Sequence, residues 1–171
     1  SDVYKRQMYD DHQCSGYDVE CCSWSNLPDE DFALSDDYDW TIGQFVWTGF
    51  DYLGEPSPYS TDSWPSHSSV FGIIDLASLP KDRFYLYRSL WNKQANTLHV
   101  LPHWTWPGRE GENTPVFVYT SYPSAELFVN GKSYGKQRKL TADESRALEG
   151  QDSLALQRRY RLMWMLSLIH I

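Results

Sequence analysis

The chain has 171 residues, of which 41% are hydrophobic and 16% aromatic, and its formal net charge is −8. This length allows one domain or parts of two, and the hydrophobic content excludes a disordered chain. The acidic balance argues against a nucleic-acid partner, since phosphate binders need clustered lysine and arginine, and no apolar run is long enough to indicate a membrane span.

The two ends of the chain are related through their codons. Residues 2–7 and 166–171 back-translate into DNA strings that are reverse complements of one another, and both strings resemble the transposon end sequence used to tag DNA for sequencing. We therefore expect residues 1–7 and 166–171 to be adapter-like artefacts and exclude them from the fold prediction. Residues 8–165 are then expected to be a truncated piece of a larger protein.

The first half of the chain predicts one βα unit. A short helix is predicted over Asp29–Leu34, because Pro28 opens it and acidic residues suit a helix N-terminus. The nearly all-apolar run Ile42–Trp47 is typical of a strand buried on both faces, as in a parallel sheet. A long loop then leads to a helix over Lys81–Trp91, whose apolar residues recur at helical spacing.

After Asn92 the pattern changes to short strands separated by turns. Strands are predicted over Leu98–Leu101 and Val116–Thr120, and a further one over Leu154–Met165. The arginine-rich run Arg158–Arg161 is interpreted as a solvent-facing part of that last strand. Such a series of short strands favours an antiparallel sandwich.

A hairpin signal stands within this second half. The pair Asn130-Gly131 separates the strand-like runs Ala125–Val129 and Lys132–Tyr134. A tight hairpin turn requires positive φ angles, which asparagine and glycine supply. The sequence therefore predicts a two-stranded hairpin here.

One segment carries a family resemblance. Gly43–Pro56, with the sequence GQFVWTGFDYLGEP, resembles the last barrel strand of family 2 glycoside hydrolases, the β-galactosidase group. Other runs continue this resemblance: Trp24–Asp31, Trp64–Ser69, Phe71–Asp75, Pro80–Arg83 and Tyr85–Ser89. Two later runs, Leu101–Trp106 and Glu126–Lys132, resemble the sandwich domain that follows the barrel in many such enzymes. The resemblance covers nearly all of residues 8–165.

The fold that this resemblance implies is α/β plus all-β. Residues 8–95 would be the C-terminal end of a (β/α)8 TIM barrel, of which only the last βα unit is present. Residues 96–165 would be a partial immunoglobulin-like β-sandwich. Barrel enzymes place their chemistry at the C-terminal ends of the strands.

The activity that the resemblance implies is that of a retaining exo-β-glycosidase acting on terminal neutral β-glycosides, with β-galactosides first. Its two catalytic glutamates would lie on earlier strands, upstream of Met8, so no catalytic residue is assigned and the chain alone is expected to be inactive. Its partner would be a carbohydrate substrate, without cofactor, metal or membrane. The oligomeric state stays open, and we expect the parent enzyme to be secreted or periplasmic.

The residues just before Gly72-Ile73 bear on the substrate class. Family members that act on glucuronides carry Asn-x-Lys just before the Gly-Ile pair, where the lysine binds the sugar carboxylate. In this sequence Ser69-Val70-Phe71 precede Gly72-Ile73. The resemblance therefore disfavours a glucuronidase.

Trp47 and Asp51 are the candidate substrate-binding residues. By the resemblance, Trp47 packs against an apolar face of the sugar; the alternative is a core tryptophan that fills the barrel mouth. Asp51 either holds the loop or contacts a sugar hydroxyl. The pair Asp51 and Glu55 is rejected as acid and nucleophile, because the resemblance places both catalytic glutamates upstream of Met8 and nothing here matches their motifs. Glu55 before Pro56 is better explained as ordering the turn.

Other candidates favour structural roles. His67 lies between serines without a nucleophile elbow, and Pro102 prevents His99 and His103 from aligning as metal ligands on a helix. Trp104 and Trp106 either form a sugar platform or pack between the domains. Two alternative functions stay open: a non-catalytic carbohydrate-binding or interaction module built on the sandwich, and a family 2 enzyme for another neutral glycone such as a β-mannoside.

Overall fold

The computed structural model describes residues 2–3, 18–19, 21, 25–54, 67–103 and 111–167, and the structural statements below concern these residues. The chain divides into two compact units, Ser1–Phe84 and Tyr85–Ile171. This division comes earlier along the chain than the predicted domain boundary between residues 95 and 96, which stays a prediction.

The first unit contains two short strands and a helix. Strand β1 (Asp2–Val3) pairs in parallel with β2 (Val46–Trp47). Helix α1 spans Pro28–Asp37 and is longer than the predicted Asp29–Leu34. Its start is stabilised as the sequence suggests: Pro28 takes the first helical turn, and Oε2 of Glu30 accepts a hydrogen bond of 3.0 Å from the Leu27 N–H.

Strand β2 is much shorter than predicted. Only Val46 and Trp47 form ladder contacts, while Ile42 and Phe45 are exposed. The expectation of a strand buried on both faces over Ile42–Trp47 is therefore wrong for the described residues. The physical reason is that β2 belongs to a two-stranded sheet, which covers little of this apolar run.

Helix α2 (Asp82–Trp91) confirms the prediction of a helix over Lys81–Trp91. Within the second unit its Tyr85 ring stacks on His99, with ring centroids 3.9 Å apart and planes 10° from parallel. His99 is thus part of an aromatic stack, which agrees with the structural role expected for it.

The second unit contains two antiparallel sheets. A three-stranded sheet has the order β3–β4–β7, with β3 over Leu98–Leu101, β4 over Asn113–Thr120 and β7 over Leu162–Ser167. A hairpin pairs β5 (Ser124–Val129) with β6 (Lys132–Arg138), and the short helix α3 (Ala142–Ala147) follows. The core lies between these sheets: Val116, Val118, Leu162, Trp164 and Leu166 pack against Ala125, Leu127, Val129 and Tyr134.

The hairpin confirms its sequence signal. Asn130 has φ of 51° and Gly131 has φ of 79°, so both turn residues occupy the left-handed region. An Asn-Gly pair reaches these angles with less strain than other residues. The turn joins β5 directly to β6, and the alternate residues of β5 reach the core.

The last part of the chain departs from the predicted strand Leu154–Met165. Gln157–Arg159 form a 3-10 turn, and β7 begins only at Leu162. The interpretation of Arg158–Arg161 as a solvent-facing strand is wrong, because Arg161 is buried. Its guanidinium lies 5.1 Å from the Tyr119 ring centroid and donates to the Tyr119 hydroxyl at 3.3 Å, which compensates burial of the charge.

The apolar end of the chain also differs from the expectation. Leu166, which the fold prediction left out, is 1% exposed, pairs with Thr114 and belongs to the core. The reason is the alternation of β7, which buries Leu162, Trp164 and Leu166 on one face. The adapter-like origin of residues 166–171 stays a prediction. Residues 168–171 and most of 1–7 lie outside the described residues.

None of the helices in the described ranges is long and apolar enough to cross a membrane.

Candidate functional site

The segment after β2 is held by backbone hydrogen bonds to residues 67–74. The Ile73 N–H donates to the Thr48 carbonyl, and the Ile74 N–H donates to the Gly49 carbonyl, each at 3.0 Å. The Asp51 N–H donates in return to the Ile74 carbonyl at 2.9 Å. These bonds fix the backbone between Trp47 and Asp51, the two residues that the sequence nominates for substrate binding.

Asp51 is the centre of a polar cluster that closes this loop. Its Oδ1 accepts from the Gly72 N–H at 2.7 Å, and its Oδ2 lies 2.7 Å from the ammonium of Lys81. The side chain is 8% exposed, so the ion pair is largely shielded from water. The same ammonium donates to the Val70 carbonyl at 3.3 Å. These contacts agree with the loop-holding alternative for Asp51, while contact with a sugar hydroxyl stays a prediction.

Gly72 permits this close approach. A Cβ atom at this position would lie 2.1 Å from the Asp51 nitrogen, 2.4 Å from the Phe50 carbonyl carbon and 2.6 Å from the Ile74 oxygen. All three are backbone atoms, which cannot move aside as a flexible side chain would. Glycine is therefore required where the two segments meet.

Trp47 is half-exposed, at 49%, immediately before this cluster. Its ring meets Tyr52 in a T-shaped contact with centroids 6.3 Å apart, and Tyr52 in turn contacts the buried Phe71 with centroids 6.3 Å apart. One part of the indole is thus anchored while another remains open to solvent. This arrangement suits an aromatic side chain that presents a flat apolar surface to a ligand.

His67 is the remaining candidate of the first unit that lies in the described residues. It is exposed, and its carbonyl accepts from the Gly54 N–H at 3.2 Å. Glu55, Trp104 and Trp106 lie outside the described residues. Within the described ranges, no group of three or more histidine, cysteine, aspartate or glutamate side chains is arranged to bind a metal ion.

Sequence reasoning missed the roles of Lys81 and Gly72. Both residues lie in runs that carry the family resemblance, Phe71–Asp75 and Pro80–Arg83. The sequence did not predict that either residue contacts Asp51. Two features of the sequence could have indicated these roles. Lys81, at the start of a helix, is a cation that can pair with a carboxylate, and Gly72 is a glycine in an otherwise apolar run.

A sequence family matches the second unit. Residues 111–168 match a domain of unknown function, DUF4982. This region contains β4 to β7 and hence most of the two antiparallel sheets.

Two curated relatives overlap a larger part of the chain. Beta-galactosidase BoGH2A from Bacteroides ovatus is 49% identical over 127 residues, which are 74% of this chain and 14% of that protein. A putative beta-glucuronidase from Formosa agariphila is 41% identical over 103 residues, which are 60% of this chain and 10% of that protein. The chain therefore spans only a small fraction of the length of the curated relatives it matches.

Two solved structures resemble the chain in fold. A beta-glycosidase from Bacteroides vulgatus is 34% identical, with a TM-score of 0.68 that covers 91% of this chain and 17% of the other. A glycosyl hydrolase family 2 member from Bacteroides cellulosilyticus is 27% identical, with a TM-score of 0.58 that covers 80% of this chain and 20% of the other. The relatives and structural neighbours of this chain are therefore family 2 glycoside hydrolases, and the chain corresponds to a part of such enzymes.

Proposed function

We propose that this chain is part of a retaining exo-β-glycosidase that hydrolyses terminal β-galactosides. The observation that carries the proposal is the 49% identity to a protein named beta-galactosidase over 74% of the chain. The named relatives also include beta-glucuronidases, and the experiment below therefore compares glycones. The absence of a cation at Ser69-Val70-Phe71 supports a neutral glycone over a glucuronide.

Residues 8–95 are proposed to be the last βα unit of a TIM barrel. An isolated parallel bridge joins Phe50 to Ile74, which supports this proposal. Large apolar side chains are also exposed along this part of the chain, as a strand would show when its neighbours are absent. They are Trp40, Ile42, Phe45, Phe50 and Leu53.

Residues 96–165 are proposed to be part of an immunoglobulin-like β-sandwich. The support is the pair of antiparallel sheets that face one another across a shared core. The β5–β6 hairpin contributes one layer and the β3–β4–β7 sheet contributes the other.

In the proposed mechanism this segment positions the sugar and the rest of the enzyme supplies the reacting groups. One glutamate protonates the leaving oxygen and a second attacks the anomeric carbon, as in retaining glycosidases. The exposed face of Trp47 would pack against the C–H face of the sugar ring, and the Asp51–Lys81 ion pair would hold the backbone that presents this ring. Both glutamates are proposed to come from regions of the relatives that this chain does not span.

A chimeric enzyme tests the glycone. In the Bacteroides ovatus protein, the 127-residue segment matched by this chain is replaced by the corresponding residues of this chain. Hydrolysis of aryl β-galactoside, β-glucuronide and β-mannoside is then compared by kcat/KM. We expect the galactoside to be the preferred substrate. A folded chimera that prefers the glucuronide or the mannoside contradicts the proposed glycone.

A further inference from the structure

The backbone of Tyr52 is held by two hydrogen bonds to one residue. Its carbonyl accepts from the Ser69 N–H at 2.8 Å, and its own N–H donates to Oγ of Ser69 at 3.2 Å. Ser69 is fully buried, so water does not compete for these bonds. Leu53 and Ser68 continue the pairing as an antiparallel bridge. Tyr52 therefore has a backbone position that does not depend on the contacts of its ring.

The ring of Tyr52 connects a buried ring with an exposed one. It contacts Phe71, which is 2% exposed, and it meets the ring of Trp47 with the two planes 80° apart. The Phe71 carbonyl also accepts from the Thr48 N–H at 3.5 Å. Residues 69–71 are thus bonded both to Tyr52 and to the residue that follows Trp47, which fixes the distance between the two rings.

A T-shaped contact restricts an indole that would otherwise turn in solvent. About half of the Trp47 side chain is exposed, so protein contacts limit its rotation over only part of its surface. One aromatic pair in this geometry favours its own arrangement by roughly twofold to tenfold. A flat ligand that packs against the indole needs the ring in one orientation, and the restriction therefore bears on binding.

Tyr38 and Trp40 form a second tyrosine–tryptophan pair in the first unit. Their ring centroids are 5.4 Å apart with the planes 36° from parallel. Both rings are exposed, at 49% for Tyr38 and 74% for Trp40. The pair of Tyr52 and Trp47 differs because Tyr52 also contacts a buried ring, so the second pair serves as a matched control.

We infer that Tyr52 is a positioning residue, which sets the orientation in which Trp47 presents its indole to the sugar. The inference rests on the sugar contact proposed for Trp47 and adds that this contact requires a fixed ring. Tyr52 acts through Trp47, and no contact with the substrate is assigned to it.

NMR relaxation of the Trp47 indole N–H in the 171-residue chain tests the orientation without any sugar. The Trp47→Phe variant identifies the signal. We expect Tyr52→Leu to lower the heteronuclear NOE of this N–H, because the ring gains fast motion, and Tyr52→Phe to preserve it. Tyr38→Leu should leave it unchanged. An unaltered Trp47 signal in a folded Tyr52→Leu chain overturns the inference.

A double-mutant cycle in the chimeric enzyme tests the consequence for the sugar. Tyr52→Leu should lower kcat/KM for an aryl β-galactoside by about fivefold, in the range of one aromatic pair. Tyr52→Phe and the control Tyr38→Leu should each change it less than about twofold. When Trp47→Ala is already present, Tyr52→Leu should cause less than about a twofold further loss, because no indole remains to be positioned.

The cycle separates positioning from general support of the loop. If Tyr52→Leu lowers kcat/KM equally with and without Trp47, Tyr52 only supports the loop and the inference is overturned. Tyr52→Met repeats the comparison if the leucine variant does not fold. A Trp47→Ala enzyme with unchanged kcat/KM refutes the proposed sugar contact instead, and the indole relaxation still decides whether Tyr52 orients Trp47.

Discussion

Gly72 has no space for a side chain, so adding one should destabilise the protein. Gly72→Ala should lower the free energy of unfolding by about 2–3 kcal/mol, because the added methyl group would overlap backbone atoms of Phe50, Asp51 and Ile74. Gly49→Ala is the control, since a Cβ at that position meets nothing within 4 Å. Urea unfolding followed by circular dichroism measures both, and equal stabilities for the two variants would contradict the proposed close contact.

Lys139 gives a pH dependence in the second unit. Burial, and secondarily the charge of Lys93, lower its pKa to about 8 from the ordinary 10.5, although its ammonium donates to the Thr120 carbonyl at 2.6 Å. A lysine pKa that is lower in the folded state means that folding favours the neutral amine. The free energy of unfolding should therefore rise as pH increases from about 8 to 10.5, where the unfolded chain keeps the proton that the folded chain loses.

Lys139→Met should remove this rise, which we expect to be about 2 kcal/mol. Lys136→Met changes an exposed lysine of β6, three residues before Lys139, and should keep the wild-type pH dependence. Urea unfolding at several pH values between 7 and 10.5 makes the comparison. A Lys139→Met protein with an unaltered pH dependence would show that the amine is not desolvated by folding.

Among the strands, β7 offers a test that separates its two faces. Leu166 is buried in the core, whereas its neighbour Met165 is 56% exposed. Leu166→Ala should cost about 2–4 kcal/mol of stability through lost burial and the cavity left behind. Met165→Ala should cost less than about 1 kcal/mol. Thermal or urea unfolding measures the stability of both variants. A small loss of stability for Leu166→Ala would mean that β7 does not complete the core.

Elements with strong local signals could be predicted from the sequence. The Asn130-Gly131 pair determines its own turn, and the apolar spacing of Lys81–Trp91 is sufficient to predict α2. The start of β7 could not be predicted in this way, because Arg158–Arg161 has no local feature that distinguishes a 3-10 turn from a strand. Arg161 is buried because the rings of Phe117 and Tyr119, distant in sequence, receive its guanidinium.

The candidate site shows the same limit. Trp47 and Asp51 could be nominated from a motif, and the alternative that Asp51 holds its loop agrees with its contacts. Its partners Gly72 and Lys81 are 21 and 30 residues away, so only the folded chain brings them together.

The whole molecule consists of two compact units that together match a small part of much longer glycosidases. The chain spans 14% of the Bacteroides ovatus beta-galactosidase and 17% of the Bacteroides vulgatus beta-glycosidase. We propose that this chain contributes one part of such an enzyme. The central claim is that this contribution includes a sugar contact made by Trp47, on a backbone held by Asp51, Gly72 and Lys81.

The measurement that tests this claim most directly is kcat/KM of the chimeric enzyme for an aryl β-galactoside, with Trp47→Ala compared with Trp40→Ala. Both changes remove an exposed tryptophan of the first unit, so general effects of losing an indole are matched. We predict that Trp47→Ala lowers kcat/KM by at least about tenfold, which corresponds to the loss of one aromatic contact with the sugar, and that Trp40→Ala changes it less than about twofold. Equal effects of the two substitutions in folded enzymes would contradict the account.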